Sequence, residues 1–221
     1  MIRIMEPGPL QLGVLASGRG SNFDAICDAI DKGQLQAEIK ILISDKNGAP
    51  VLQKAANRGI KTLFVNPQDF TGREDYERLL VEKLHEARVN IIALAGYMRL
   101  VGPIFLQAYA NRILNIHPAL LPSFTGLHAQ RQAVEYGVKF SGCTVHIVDQ
   151  GMDSGPIVMQ AVVPVYDDDD EESLSERILE QEHNIYWRAL QLFAQGRVYL
   201  SQRRVIIKQI ATETITKSSV V

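Results

Sequence analysis

The chain has 221 residues, 46% hydrophobic and 22% charged, with a formal net charge of −2. This length suits one large α/β domain or two small ones, and the charge lacks the basic surplus of a general nucleic-acid binder. Cys27 and Cys143 are too few for a disulfide framework and read as small buried side chains in a reducing, cytoplasmic setting.

Residues 1–9, which include Arg3 and Glu6, lack the apolar stretch of a signal peptide and are expected as a loose extension. Short apolar runs then alternate with amphipathic stretches. Strands are expected at 12–16, 38–44, 62–65, 90–95, 112–116, 144–148 and 157–165. Helices are expected at 21–32, 50–58, 73–87, 103–108, 128–136 and 174–195. The alternation implies βαβ units, hence an α/β fold with an open, mostly parallel twisted sheet and helices on both faces. The runs at 12–16 and 90–95 show little polar alternation, as strands covered on both faces should. The acidic run 167–172 reads as a solvated loop and first helical turn, with carboxylates at the positive helix end. From Val205 the tail begins β-branched and ends Thr-Lys-Ser-Ser-Val-Val, so a terminal strand and then disorder are expected. With no internal repeat or linker, the expected organisation is one domain over 10–205, an extension at 1–9 and a tail at 206–221. No apolar run is long enough to span a membrane.

The first candidate site is Ser17-Gly18-Arg19-Gly20-Ser21-Asn22, between the first strand and first helix. Backbone N–H groups at a helix N-terminus attract anions, so Gly20, Ser21 and Asn22 can bind a phosphate. The alternative is a tight turn with Ser21 as N-cap. No Gly-Lys-Ser/Thr follows, so the turn is not a Walker loop.

The second candidate is the segment after the strand at 90–95. Gly96-Tyr97-Met98-Arg99-Leu100-Val101 places apolar side chains where a loop begins. In open α/β sheets ligands bind beyond the carboxyl ends of strands, so this segment can line a slot for a flat ring. It can equally cover the sheet end as core, and Arg99 can meet an anion or cap a carbonyl.

The third is Asn115-Ile116-His117-Pro118 together with Asp153 in Met152-Asp153-Ser154-Gly155-Pro156. Asn115 and His117 are two apart on a strand end and point the same way. Each of the three has a structural alternative, such as a turn contact. Together they supply what a tetrahedral acyl-transfer intermediate needs: Asn115 donates an N–H, His117 donates another when protonated, and the Asp153 carboxylate favours that form. No nucleophilic motif such as G-x-S-x-G is present, so the attacking group belongs to a substrate or to water. His146 shares a strand face with Thr144 and suits a supporting role; His128 begins a helix and reads as a surface or phosphate-side group. No His pair has zinc spacing with a third ligand, so no metal is expected.

In combination and order, these segments resemble the folate-dependent formyltransferases, in particular those acting on phosphoribosylglycinamide (GAR) in purine biosynthesis. The resemblance spans residues 12–197. Its carriers are the Ser17–Asn22 and Ala95–Leu100 segments, Leu114-Asn115-Ile116-His117-Pro118-Ala119-Leu120-Leu121-Pro122, Gly126-Leu127-His128, Gly142-Cys143-Thr144-Val145-His146, Met152-Asp153-Ser154-Gly155-Pro156 and Gln181-Glu182-His183. It implies a Rossmann-like formyltransferase fold and attack of the GAR amine on the formyl carbon of the co-substrate 10-formyltetrahydrofolate. It implies that Asn115 and protonated His117 hold the oxyanion while Asp153 orients the His and helps move a proton through water. Gly20, Ser21 and Asn22 would hold the GAR phosphate, and Glu182 its ribosyl part. Met98, Arg99, Leu100, Val101, Asn115, Asp149, Met152 and Asp153 would hold the folate, with Arg73 reaching its tail. Thr144, His146 and His128 would stand behind them. The implied partners are small molecules only, with no nucleic acid or membrane, and the implied assembly is a monomer or homodimer.

Gln150 and Gly151 stand where relatives often carry acidic residues, and Ile147 where an aromatic is frequent, which implies a looser folate loop. Relatives that hydrolyse the formyl donor, or that formylate methionyl-tRNA or a nucleotide sugar, usually carry an additional domain for which this chain leaves no room. A non-catalytic nucleotide-binding module would have no need of the Asn115, His117 and Asp153 set.

Overall fold

A computed structural model describes residues 1–209. Seven strands form the main sheet: β2 (Leu10–Leu15), β3 (Ala37–Ser44), β4 (Thr62–Phe64), β5 (Ile91–Leu94), β6 (Ile113–His117), β7 (Phe140–Ile147) and β8 (Ile157–Pro164). Their order is β4-β3-β2-β5-β6-β7-β8. The first five run parallel, whereas β7 is antiparallel to both β6 and β8. The sheet is therefore mostly parallel, as the alternating pattern predicts.

The helices are α1 (Ser21–Asp31), α2 (Pro50–Asn57), α3 (Arg73–Glu86), α4 (Pro103–Ala108), α5 (Ala129–Tyr136) and α6 (Glu171–Ala194). Two apolar clusters show how they cover the sheet. Val14, Leu42, Leu114, Ile116, Val145 and Ile147 pack with Phe23, Val51, Ala133 and Tyr186, so α1, α2, α5 and α6 share one face. Leu15, Ile43, Leu94 and Ile113 pack with Tyr76, Leu80 and Phe105 from α3 and α4 on the other. Each large side chain fully buried here contributes roughly 1.5–3 kcal/mol.

The long helix α6 starts three residues before the expected position. Asp170 accepts from Ser173 N–H at 2.8 Å, and the Ser173 hydroxyl accepts from Asp170 N–H at 3.0 Å, a reciprocal capping box. Glu171 and Glu172 occupy its first turn, as the acidic run implies.

The expected loose N-terminus is corrected. Ile2–Arg3 (β1) pairs antiparallel with β9 (Val198–Ser201), which pairs with β10 (Arg204–Ile207), giving a second sheet of three strands. The anchor is Tyr199. Arg3 Nε donates to its hydroxyl at 2.8 Å, and Arg3 and Lys208 lie over its ring at 5.3 and 4.3 Å. The expected terminal strand is β10; the disorder expected beyond it falls on residues 210–221, outside the described residues.

Candidate active site

The helices α3 and α4 cover the parallel half of their face and stop short of β7. On β6, Leu114 and Ile116 point to the opposite core, so Asn115 and His117 alternate onto this open face. Antiparallel pairing places His146 opposite Asn115 and Thr144 opposite His117. Four polar residues thus form a square on otherwise apolar strands. The site rests on a sheet face near the strand ends, with the 148–156 loop folded back over it.

Asp153 comes from that loop. Its Oδ2 lies 3.4 Å from His117 Nδ1 and accepts from Gly126 N–H at 2.8 Å. Its backbone φ is 50°, in the left-handed region, which costs an Asp about 1 kcal/mol and must be held by surrounding contacts. His117 Nε2 donates to the Phe124 carbonyl at 2.8 Å. That bond fixes the ring and turns Nδ1 toward the open face. With Nε2 donating, Nδ1 carries a proton only in the imidazolium form, and at 3.4 Å from Asp153 it is beyond a good hydrogen bond and open to another partner.

His146 joins the set as a neutral ring. Its Nδ1 donates to the Ile147 carbonyl at 3.2 Å, and its Nε2 accepts from Asn115 Nδ2 at 3.1 Å. Burial holds its pKa below the usual value. The 3.7 Å approach of Nε2 to Asp153 Oδ1 is therefore no ion pair, because Nε2 carries no proton. His146 orients Asn115, leaving the second amide hydrogen free.

Thr144 is fully buried. Its hydroxyl donates to the Ala119 carbonyl at 2.7 Å and accepts from Leu121 N–H at 3.1 Å and Gln160 Nε2 at 3.0 Å. It locks the turn that follows His117. His128 stands apart from the set: it is exposed, holds the N-cap position of α5 without a side-chain capping bond, and has its Nδ1 3.3 Å from Glu171. The expectation that it supports the reacting groups is corrected.

At the glycine turn the N-cap is Gly20, not Ser21. Gly20 has φ 78° and no side chain caps the helix. The first intrahelical bond runs from Asp24 N–H to the Gly20 carbonyl, so the N–H groups of Ser21, Asn22 and Phe23 have no helical acceptor. A Cβ at Gly20 would lie 2.7 Å from Val51 Cβ, so only glycine brings α2 this close. Asn22 is buried, and its Nδ2 donates to Glu182 Oε2 at 2.7 Å. Burial raises the Glu182 carboxyl to about 7, opposed by the Asn22 bond. One turn along α6, the Tyr186 hydroxyl sits 3.0 Å from the carbonyls of both Leu94 and Leu114. The helix thus registers the glycine turn against the ends of β5 and β6.

The segment after β5 is held from below. Ser17 Oγ donates to Asp45 at 2.6 Å and accepts from Met98 N–H at 3.1 Å, linking it to the glycine turn. Arg73 donates to the Leu100 carbonyl at 2.6 Å and to Glu77 at 2.9 Å, while Arg99 lies 5.3 Å from the Tyr76 ring. Buried Glu77 also accepts from Gly102 N–H at 2.5 Å. A small cleft lined by Arg73, Tyr76, Tyr97, Arg99 and Val101 lies beneath this segment, apart from Asn115 and His117. Met98, Leu100 and Met152 expose most of their apolar surface. Opposite, Asp149 Oδ1 accepts from Gly151 N–H at 3.1 Å and Ser154 Oγ at 2.6 Å. The loop expected to be loose is thus closed on itself.

Phe124, Gly126, Ser17, Glu77 and Gln160 carry no assigned role in the sequence reading. Two act through main-chain atoms, which every residue type supplies. Among the described residues no group of three or more His, Cys, Asp and Glu is placed to hold a metal, and no helix is long and apolar enough to cross a membrane.

Comparison with known proteins agrees with this geometry. A formyl transferase family model matches residues 10–190. The crystal structure of glycinamide ribonucleotide transformylase 1 from Symbiobacterium toebii superposes with a TM-score of 0.90 at 47% identity, covering 91% of this chain and 95% of that one. The phosphoribosylglycinamide formyltransferase of Escherichia coli (strain K12) is 39% identical over 87% of this chain and 91% of its own length. The trifunctional purine biosynthetic protein adenosine-3 of Drosophila melanogaster is 46% identical over 86% of this chain, which spans 14% of that relative's length. With an anion-ready turn, a paired imidazole and carboxylate on an open sheet face, and these matches, the chain belongs to the formyl transferase family and, within it, to the phosphoribosylglycinamide formyltransferases.

Proposed function

We propose that the protein transfers a formyl group from 10-formyltetrahydrofolate to the glycinamide amine of GAR, giving N-formyl-GAR and tetrahydrofolate in de novo purine (IMP) biosynthesis. One domain over residues 10–205 carries the reaction in a cytoplasmic setting. The observation that carries the reading is the convergence of Asn115, His117 and Asp153 on one sheet face that no helix covers, with one amide hydrogen of Asn115 free and His117 Nδ1 turned toward the Asp153 carboxylate.

The amine attacks the formyl carbon, and negative charge develops on the formyl oxygen. The free Asn115 amide hydrogen and, with His117 protonated, its Nδ1–H stabilise that oxygen. In a site fixed in advance, one such donor is worth about 3 kcal/mol. A new C–N bond forms and the bond from the formyl carbon to the folate nitrogen breaks. The proton lost by the amine passes by way of Asp153 and His117 to the departing nitrogen. Asp153 keeps its carboxylate in place through Gly126 N–H while the proton moves.

The N–H groups of Ser21, Asn22 and Phe23 suit the GAR phosphate, and Glu182 the ribose hydroxyls. Met98, Leu100 and Met152 suit a flat apolar ring, and Arg73, Arg99, Val101 and Asp149 are the further residues assigned to the folate. Every named group comes from one chain, and the reading needs no metal, nucleic acid or membrane.

The test is turnover. Mixed with GAR and the formyl donor, the protein should release tetrahydrofolate only when GAR is present. Release without GAR would make water the acceptor, and no release in either mixture would leave a binding module; either result overturns the proposal.

A further inference from the structure

We propose that Arg203 is a positioning residue for Asp153, and that the small sheet built from both chain ends serves to place it. Arg203 stands in the tight turn between β9 and β10, beside Gln202 with φ 53°. Its Nη2 donates to the carbonyl of Ser154, the residue that follows Asp153. All three strands lie outside the 10–190 span matched by the family model.

The loop that carries Asp153 has an internal clasp but needs an external one. Ser154 Oγ is bonded to Asp149 within the same loop, so that bond moves with the loop. The Arg203 bond ties the next carbonyl to a separate body. Asp153 occupies a left-handed conformation that relaxes if the flanking peptides can rotate. Fixing the Ser154 carbonyl removes that freedom on its C-terminal side, and Gly126 N–H holds the carboxylate itself.

The arm is stiff enough for the task. β9 is hydrogen-bonded on both edges, with Leu200 paired to Ile2 and to Val205. Tyr199 is gripped by Arg3 and Lys208. Arginine suits the post because its planar fork keeps a charged donor aimed while its stem lies along the surface.

The inference rests on the proposed formyl transfer, so its test has one readout that depends on that reaction and one that does not. Arg203→Ala should lower kcat about fivefold, the worth of one net hydrogen bond, with KM for GAR unchanged. Amide hydrogen exchange should quicken in the 149–155 segment alone. The thermal midpoint should stay within about 2 °C, because an exposed bond adds little to global stability. Arg203→Lys, which keeps a donor, should recover part of the lost kcat and of the protection. Unchanged kcat and unchanged exchange in Arg203→Ala overturn the proposal. So does a loss shared by the whole chain, with faster exchange throughout and a large fall in midpoint. If the wild type forms no product, the formyl-transfer reading fails, and exchange at 149–155 still decides whether Arg203 holds the loop.

Discussion

Asn22 and Glu182 are 160 positions apart, yet the Asn22 amide donates to Glu182 Oε2 at 2.7 Å in the protein interior. The bond joins the first turn of α1 to the middle of α6. It also takes a carboxyl largely out of water.

That placement predicts a pH-dependent stability. Burial raises the Glu182 carboxyl from 4.5 to about 7. A raised folded value means that folding favours the neutral form. The contribution is fully present below the unfolded value and is lost as pH rises toward the folded one; above about 7 the charged form costs up to about 3 kcal/mol. Glu182→Gln keeps an acceptor for Asn22 and removes the charge. Thermal melts at about pH 5 and about pH 8 should show the variant gaining on the wild type as pH rises. A gap equal at both pH values would contradict the raised carboxyl.

Asp153→Asn tests the carboxylate as charge. Asn keeps an oxygen for Gly126 N–H, so the loop should hold its shape. Turnover should fall by roughly 10²-fold or more, the usual worth of a positioned proton-transfer group, while GAR still binds. Turnover at the wild-type level would remove Asp153 from the reaction.

Thr144→Val changes shape little but deletes a hydroxyl that serves Ala119, Leu121 and Gln160. Leu121 N–H and the Ala119 carbonyl keep only their mutual 3.2 Å bond, and losing the bridging hydroxyl costs about 1–2 kcal/mol. Denaturant titration should show an earlier midpoint with an unchanged slope. Turnover should fall too, since the turn behind His117 is no longer locked.

Gly20→Ala addresses the anion turn. The new Cβ meets Val51 in a backbone conformation that alanine dislikes, a combined cost of about 2–4 kcal/mol. The N–H groups of the first helical turn shift with it. The variant should melt earlier and show a raised KM for GAR, with kcat at saturation largely preserved. Full GAR affinity in a folded variant would place the phosphate elsewhere.

The parts of this molecule that follow a period are legible in its sequence. Asn115 and His117 stand out because a polar pair two apart interrupts an apolar strand, and the pairing of β6 with β7 then brings Thr144 and His146 to the same face. The Gly20 turn is legible for the same reason, lying between a strand and a helix. What escapes the sequence acts through the backbone or through distance. The Phe124 carbonyl that orients His117 would be the same on any residue. A two-residue strand such as β1 has no period to read, and Arg203 meets Ser154 only because the chain ends pair. The early start of α6 had a signal, since Asp170 and Ser173 have capping-box spacing, but the surrounding acidic run masked it.

Strand β6 spends alternate residues on two tasks. Leu114 and Ile116 fasten the sheet to α6, while Asn115 and His117 face the open side. Inserting or deleting one residue there would send the polar pair inward and the aliphatic pair outward. Such a lesion destroys fold and activity in one event. Mutational drift in this strand is therefore confined to replacement at fixed length, and length variation among related chains should collect in the loops on either side.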